Sequence, residues 1–184
     1  DMGALGVRKP AHEPRAHTFI DPVIELAQTL LDNGHAYEAK GSVFLHGAAV
    51  ARSAGVDDSQ AEQLLREHGG RLDDPAKRHP FDQAVWQSST ADEPAWPSPW
   101  CPGRPGWHAE CTAMALSHYG PSLDLHAGGA DLKFPHHAFE RAQAEAATGV
   151  APFARAWMHV GTVQRGGEKM AKSTGNLVFV ADLI

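Results

Sequence analysis

The second half of the chain alternates between helical and strand patterning, and this alternation restricts its fold more than any other feature. His108 to Tyr119 reads as a helix that stops at Gly120, and Leu123-Asp124-Leu125-His126 reads as a short buried strand running into glycines. His137 to Thr148 repeats the helix and stops at Gly149, and Ala156-Trp157-Met158-His159-Val160 repeats the strand. Strands separated by helices pair in parallel, so the expected fold class is α/β.

The first half reads differently. Asp21 as N-cap, Pro22 at the first helical position, the apolar set Val23, Ile24, Leu26, Ala27, Leu30 and Leu31, and Gly34 as a stop predict an amphipathic helix over 21–33. Ala36-Tyr37 and Ser42-Val43-Phe44-Leu45 read as strands around a Lys40-Gly41 turn, and Ser59 to Glu67 as a second helix. Residues 69–82 read as a polar connection. Pro94, Pro97, Pro99, Pro102 and Pro105 define a stiff, extended segment carrying Trp96, Trp100 and Trp107.

A hydrophobic content of 42% over 184 residues allows one sizeable core. The net charge of −6 argues against a broad phosphate-binding surface, although a local basic patch remains compatible with it. No apolar run reaches the roughly 18 to 20 residues that span a bilayer, so the expectation is a soluble, cytoplasmic protein without a membrane partner. Two cysteines, Cys101 and Cys111, stand beside twelve histidines, a balance that favours metal ligation or catalysis over a disulfide staple.

Cys111 lies near the start of one predicted helix, and His136 and Glu140 stand four apart at the start of another, on one helical face. Sulfur, nitrogen and oxygen donors of this mixture suit Zn²⁺, and three ligands leave a position open, as catalytic sites do. The competing reading makes Cys111 a core thiol, His136 a helix-terminal histidine and Glu140 a solvated residue. His126-Ala127-Gly128-Gly129 lets a backbone approach a ligand at the carboxyl end of a sheet, with Asp131 beside it, or else forms only a strand-to-helix turn. Trp107 and His108 either close a pocket or plug a core. Lys169-Met170-Ala171-Lys172-Ser173, followed by Thr174-Gly175-Asn176, places two lysines where charge on a pyrophosphate would be balanced; lysines in such a loop are otherwise simply solvated.

Together with Pro105-Gly106-Trp107-His108-Ala109-Glu110-Cys111 and Phe134-Pro135-His136-His137, these blocks resemble the cysteine-activating class I synthetases. That family comprises cysteinyl-tRNA synthetase and its relative, the mycothiol-pathway ligase joining cysteine to glucosaminyl-inositol. The resemblance covers nearly the whole chain, from Asp1 through Glu13-Pro14-Arg15-Ala16 and Gly34-His35-Ala36-Tyr37 to Asn176. It implies a Rossmann-like parallel sheet of class I type, incomplete and carrying an inserted connective segment. Residues 1–95 would be a connective-peptide-like insertion with a flanking helix, and 96–184 the second half of the nucleotide-binding catalytic domain.

It further implies activation of cysteine with ATP and Mg²⁺ as an enzyme-bound adenylate, followed by transfer to an acceptor. Cys111, His136 and Glu140 would be zinc ligands. Trp107, His108, His126, Gly128, Gly129, Asp131, Met170 and Ser173 would line the cysteine and adenylate pocket, and Lys169 and Lys172 would serve the phosphates. The expected acceptor is the amine of glucosaminyl-inositol, with tRNA charging as the alternative: Arg66-Glu67-His68-Gly69-Gly70, Trp96-Pro97-Ser98-Pro99-Trp100 and Phe153-Ala154-Arg155 resemble the ligase, whereas Gly34 to Ala39 and Glu140 resemble the synthetase. Ala171 and Ala127 depart from the family's serine and glycine. The resemblance places a first catalytic half, with a His-x-Gly-His signature and a further zinc-binding cysteine, before Asp1, and a helical acceptor domain after Ile184. Cys101 is an alternative source for that thiol. The rival to an enzyme, whole or in part, is a noncatalytic cysteine- or zinc-binding module, or one half of a split enzyme.

Overall fold

Residues 2–183 are described by a computed structural model; Asp1, where the resemblance begins, and Ile184 lie outside the described residues. The helices are α1 (Ile20–Asp32), α2 (Ala48–Ser53), α3 (Asp58–Glu67), α4 (Trp107–Tyr119) and α5 (Ala138–Thr148). The strands are β1 (Ala36–Ala39), β2 (Ser42–Leu45), β3 (Gln83–Ser88), β4 (Gly103–Pro105), β5 (Leu123–Gly129), β6 (Ala154–Val160), β7 (Gln164–Arg165) and β8 (Glu168–Lys169).

The expected parallel pairing is made by β5 and β6, in register from Leu123 opposite Ala154 to Gly129 opposite Val160. Ahead of it stands an antiparallel sheet in the order β1-β2-β3-β4. Its first hairpin turns at Lys40 and Gly41, both with positive φ, the backbone that a tight two-residue turn between twisted strands requires. α1 lays Val23, Leu26, Ala27 and Leu30 against Val85 and Trp86 of β3, Ala109 and Ala113 of α4 and Phe139 of α5. Each large side chain so buried contributes about 1.5–3 kcal/mol. This core is continuous across residue 95, and β3 pairs with β4 across the same point.

Two expectations need correction, and two elements are additional to those expected. Asp21 is not the N-cap of α1: Phe19 holds that position without a side-chain hydrogen bond, and Asp21 sits in the first turn, where its charge still complements the helix N-terminus. α2 and β3 were not legible, because six residues are too few to display a period and β3 buries its central pair Val85-Trp86 while its ends stay half-exposed. Finally, β5 is not a buried strand. Only Leu123 is buried and Leu125 is 53% exposed, because its one partner, β6, covers an edge and neither face.

Candidate metal and adenylate site

β4 delivers the chain directly into α4, and the junction is tight. The Gly106 N–H donates to Val85 O at 2.8 Å, and a Cβ on Gly106 would fall 1.7 Å from Ala84 O. This close approach sets Trp107 and His108 on the first turn of α4. Cys111 follows one turn later, half-buried on the same helix. From the opposite side, the irregular segment 133–137 leads into α5 and carries His136, His137 and Glu140 inward. β5 supplies His126.

Glu140, only 1% exposed, is the hub. Its Oε1 lies 2.6 Å from His136 Nε2 and its Oε2 lies 2.8 Å from His126 Nε2. The donor atoms of Cys111, His136 and Glu140 all fall within 4.8 Å of one another, and so do those of His126, His137 and Glu140. Burial disfavours a charge on Glu140, but the two imidazoles outweigh it and hold the carboxyl down at about 2. Burial, then Glu140 and Glu110, push the Cys111 thiol up to about 12. Without a cation the group is therefore a carboxylate beside a neutral thiol.

The residues present fit a metal ion. The donor set mixes S, N and O, its His136 and Glu140 are buried and its Cys111 half-buried, and His126 Nε2 and Glu140 Oε2 are short of a well-directed hydrogen bond despite their 2.8 Å separation. That contact supplies proximity without hydrogen-bond geometry, which is how two ligands of a common ion lie. Cys101 does not belong to the group: it packs against the β1–β2 turn, where a Cβ on Gly41 would meet its own Cβ at 2.6 Å.

A shell of aromatic rings surrounds the donors. The Trp107 ring stacks on His136 with centroids 4.4 Å apart and planes at 15°. His108 Nδ1 lies 2.9 Å from His136 Nδ1, and His108 stacks on Phe139. Burial, followed by the neighbouring His136, lowers the His108 pKa to about 3, so its imidazole is neutral. His137 Nδ1 meets His159 Nε2 at 2.8 Å, and burial lowers the His137 pKa to about 4. His159 carries no sequence motif of its own, and His137, although part of the Phe134-Pro135-His136-His137 block, is not among the residues the sequence singles out for a site. The available signal was the three-residue spacing of His137 and Glu140, which places both on one helical face.

The glycines lie where β5 ends. A Cβ on Gly128 would meet the His137 ring at 2.7 Å, and one on Gly129 would meet Asp131 Oδ1 at 2.3 Å. Asp131 accepts from Lys169 Nζ at 2.6 Å, and that hydrogen bond lowers its carboxyl below the ordinary range. This pair ties the lysine loop to the end of β5. The loop itself is braced by Asn176, whose Oδ1 accepts from Ala171 N–H at 2.9 Å and whose Nδ2 donates to Lys169 O at 3.1 Å. Met170 N–H donates to Val163 O at 2.8 Å. Lys172 and Ser173 are not brought to the metal cluster. They stay exposed in a 3-10 turn over Lys172–Thr174, and among the described residues their side chains make no hydrogen bond or ion pair.

With the geometry in hand, comparison with known proteins is specific. The family model described as tRNA synthetases class I (C) catalytic domain matches residues 1–184. A cysteine–tRNA ligase of Symbiobacterium thermophilum is 47% identical over 186 residues, covering 100% of this chain and 39% of that protein. Cysteine–tRNA ligases of Xanthomonas axonopodis pv. citri and Legionella pneumophila are each 46% identical over 100% of this chain and 38% and 40% of their own lengths. The chain thus spans about two fifths of the curated relatives it matches. Among the described residues no helix is long and apolar enough to cross a membrane. A parallel β5–β6 pair flanked by α4 and α5, ending in glycines beside a lysine loop, agrees with that match over its full length, and the chain belongs to the class I (C) tRNA synthetase catalytic domain family.

Proposed function

We propose that this chain is the acceptor-facing part of an ATP-dependent, AMP-forming cysteine ligase that charges tRNA in the cytoplasm. Residues 1–95 form its connective insertion, and 96–184 the second half of its catalytic domain. The observation that carries the reading is the largely buried Cys111–His136–Glu140 group with Trp107 stacked on His136, within a chain 46–47% identical to cysteine–tRNA ligases. The amino-sugar acceptor, which is the leading expectation from the sequence, has no support among these relatives, whose names all refer to tRNA.

Cys111, His136 and Glu140 would hold Zn²⁺, with His126 on the free side of the Glu140 carboxylate. When bound, zinc prefers a thiolate to a hydroxyl, which separates cysteine from serine without an editing step. The protein's own residues do the remaining work. Trp107 and His108 fix the His136 ring and keep water from that side of the pocket. Gly128 and Gly129 leave room for a nucleotide against the β5 backbone. Asp131 positions Lys169 at the pocket edge, and Lys172, exposed on its turn, adds charge toward the pyrophosphate of ATP with Mg²⁺.

The intact gene product, given ATP, zinc and cysteine, should catalyse cysteine-dependent ATP–pyrophosphate exchange, with serine inactive and AMP release stimulated by tRNA. Stimulation by glucosaminyl-inositol in place of tRNA would reinstate the amino-sugar ligase. Absence of cysteine-dependent exchange would sink the catalytic reading and leave a cysteine- or zinc-binding module.

A further inference from the structure

Beside the metal cluster, the end of α2, the start of α5 and β6 enclose a cavity of about 220 Å³. Its apolar lining is Ala54, Ala138 and the half-buried Trp157, and its polar lining is Ser53, Lys133, His137 and Arg141. None of the residues assigned above to cysteine, ATP or the phosphates is among them. The Trp157 ring meets His126 edge-on at 4.9 Å and lies 5.5 Å from His137, so the cavity is one ring away from the metal donors.

The cavity holds two cations and no carboxylate. Arg141 Nη2 donates to Ser53 Oγ at 2.7 Å, and Ser53 Oγ in turn donates to Val50 O at 2.8 Å, so the hydroxyl proton is already placed and only its lone pair serves the arginine. Among the described residues the rest of the Arg141 guanidinium and the Lys133 ammonium make no side-chain hydrogen bond or ion pair. The acids closest to them along the chain are committed elsewhere. Asp131 accepts from Lys169 at 2.6 Å, Glu140 lies between His126 and His136, and Glu145 Oε1 accepts from the Phe153 N–H at 3.0 Å. In a chain of net charge −6 this is a local excess of positive charge set against an apolar wall.

That combination selects a ligand class. A guanidinium with one edge open pairs best with a planar carboxylate, which can take two parallel hydrogen bonds. An indole and two alanine methyls favour a flat apolar body beside that charge. A space of about 220 Å³ falls below the range of drug-sized pockets and admits a single ring. We infer that this cavity binds a small aromatic carboxylate, with the carboxylate on Arg141 and Lys133 and the ring against Trp157. The site is separate from the cysteine, ATP and acceptor roles and does not depend on them.

The test uses the full-length, zinc-loaded protein and ligand-observed NMR titrations with benzoate, with benzamide as the uncharged body of the same shape and acetate as the charge without a ring. Saturating cysteine is added in a parallel series, so that a carboxylate sitting on the metal is displaced. Benzoate should bind with a Kd of about 1 mM, as expected for a ligand of about nine non-hydrogen atoms, whether or not cysteine is present. Benzamide and acetate should each bind at least about tenfold more weakly, and Arg141→Gln should weaken benzoate by about the same factor, the loss typical of one charge-assisted contact. Lys133→Gln, at an exposed position, provides a second variant should Arg141→Gln fold poorly, and it should weaken benzoate by several-fold. Absence of benzoate binding up to about 10 mM, displacement of benzoate by cysteine, equal affinity for benzamide, or unchanged affinity in both variants overturns the inference.

Discussion

Gly106→Ala isolates the link between packing and chemistry. The residue has φ −73° and ψ 145°, a backbone any amino acid adopts, so the substitution carries no conformational strain of its own. Its cost comes from contact: the new methyl would sit 1.7 Å from Ala84 O and 2.6 Å from Ala84 C, both backbone atoms of β3. No flexible side chain can yield, so α4 and β3 must separate by more than about an ångström, straining the Gly106 N–H to Val85 O bond. Overpacking of this kind costs about 1–3 kcal/mol, and we expect the upper end because backbone meets backbone. For a domain of this size that lowers Tm by about 5–10 °C. Since Trp107 and His108 are the next two residues, a shift of about 1 Å carries into the site and should slow cysteine-dependent pyrophosphate exchange about 100-fold in the intact protein. Gly161→Ala, where a Cβ meets nothing within 4 Å, is the matched control and should change neither quantity. A Gly106→Ala protein that melts within about 1 °C of wild type and exchanges at the wild-type rate would refute this chain of reasoning.

Three further outcomes are expected. Cys111→Ala and Glu140→Gln should each weaken zinc retention at least about tenfold by metal analysis after dialysis against a graded chelator, while Cys101→Ala should not, since Cys101 packs at the β1–β2 turn. Tyr37 has its pKa raised to about 12, first by burial and then by donating to Asp82. A phenol raised above its ordinary value of about 10 contributes stability that is fully present below pH 10 and lost as pH rises toward 12. Chemical denaturation across that window should show the loss in wild type and a flatter profile in Tyr37→Phe. Lys169→Ala removes an exposed pair with Asp131 worth at most about 1 kcal/mol, so Tm should hold while pyrophosphate exchange falls by at least about tenfold; an unchanged rate would remove Lys169 from the phosphate role.

The helices α1, α3, α4 and α5 are legible because each runs for several turns and ends at a glycine, polar cap or charge, with an apolar stripe on α1, α3 and α5 though not on α4. β6 was readable from its own run of residues, and its parallel partner β5 from the helix that separates them. The i,i+4 spacing of His136 and Glu140 put both on one face before any tertiary contact was considered, and a lone thiol near a helix start added Cys111. These are properties of a few consecutive residues, and local geometry suffices to express them.

Other features depend on groups far apart in the chain. His126 and His137 reach Glu140 only because β5 lies beside α5, and His108 meets His136 across 28 residues. Likewise β5, apolar at Leu123 and Leu125, leaves Leu125 in the open because burial depends on how many strands and helices cover a face. Local patterning along the chain thus determined most of the elements and three of the five clustered donor residues, Cys111, His136 and Glu140. Tertiary packing decided the hydrogen-bond partners, the protonation states and the cavities, because each of those is set by distances between residues that the sequence does not place next to one another.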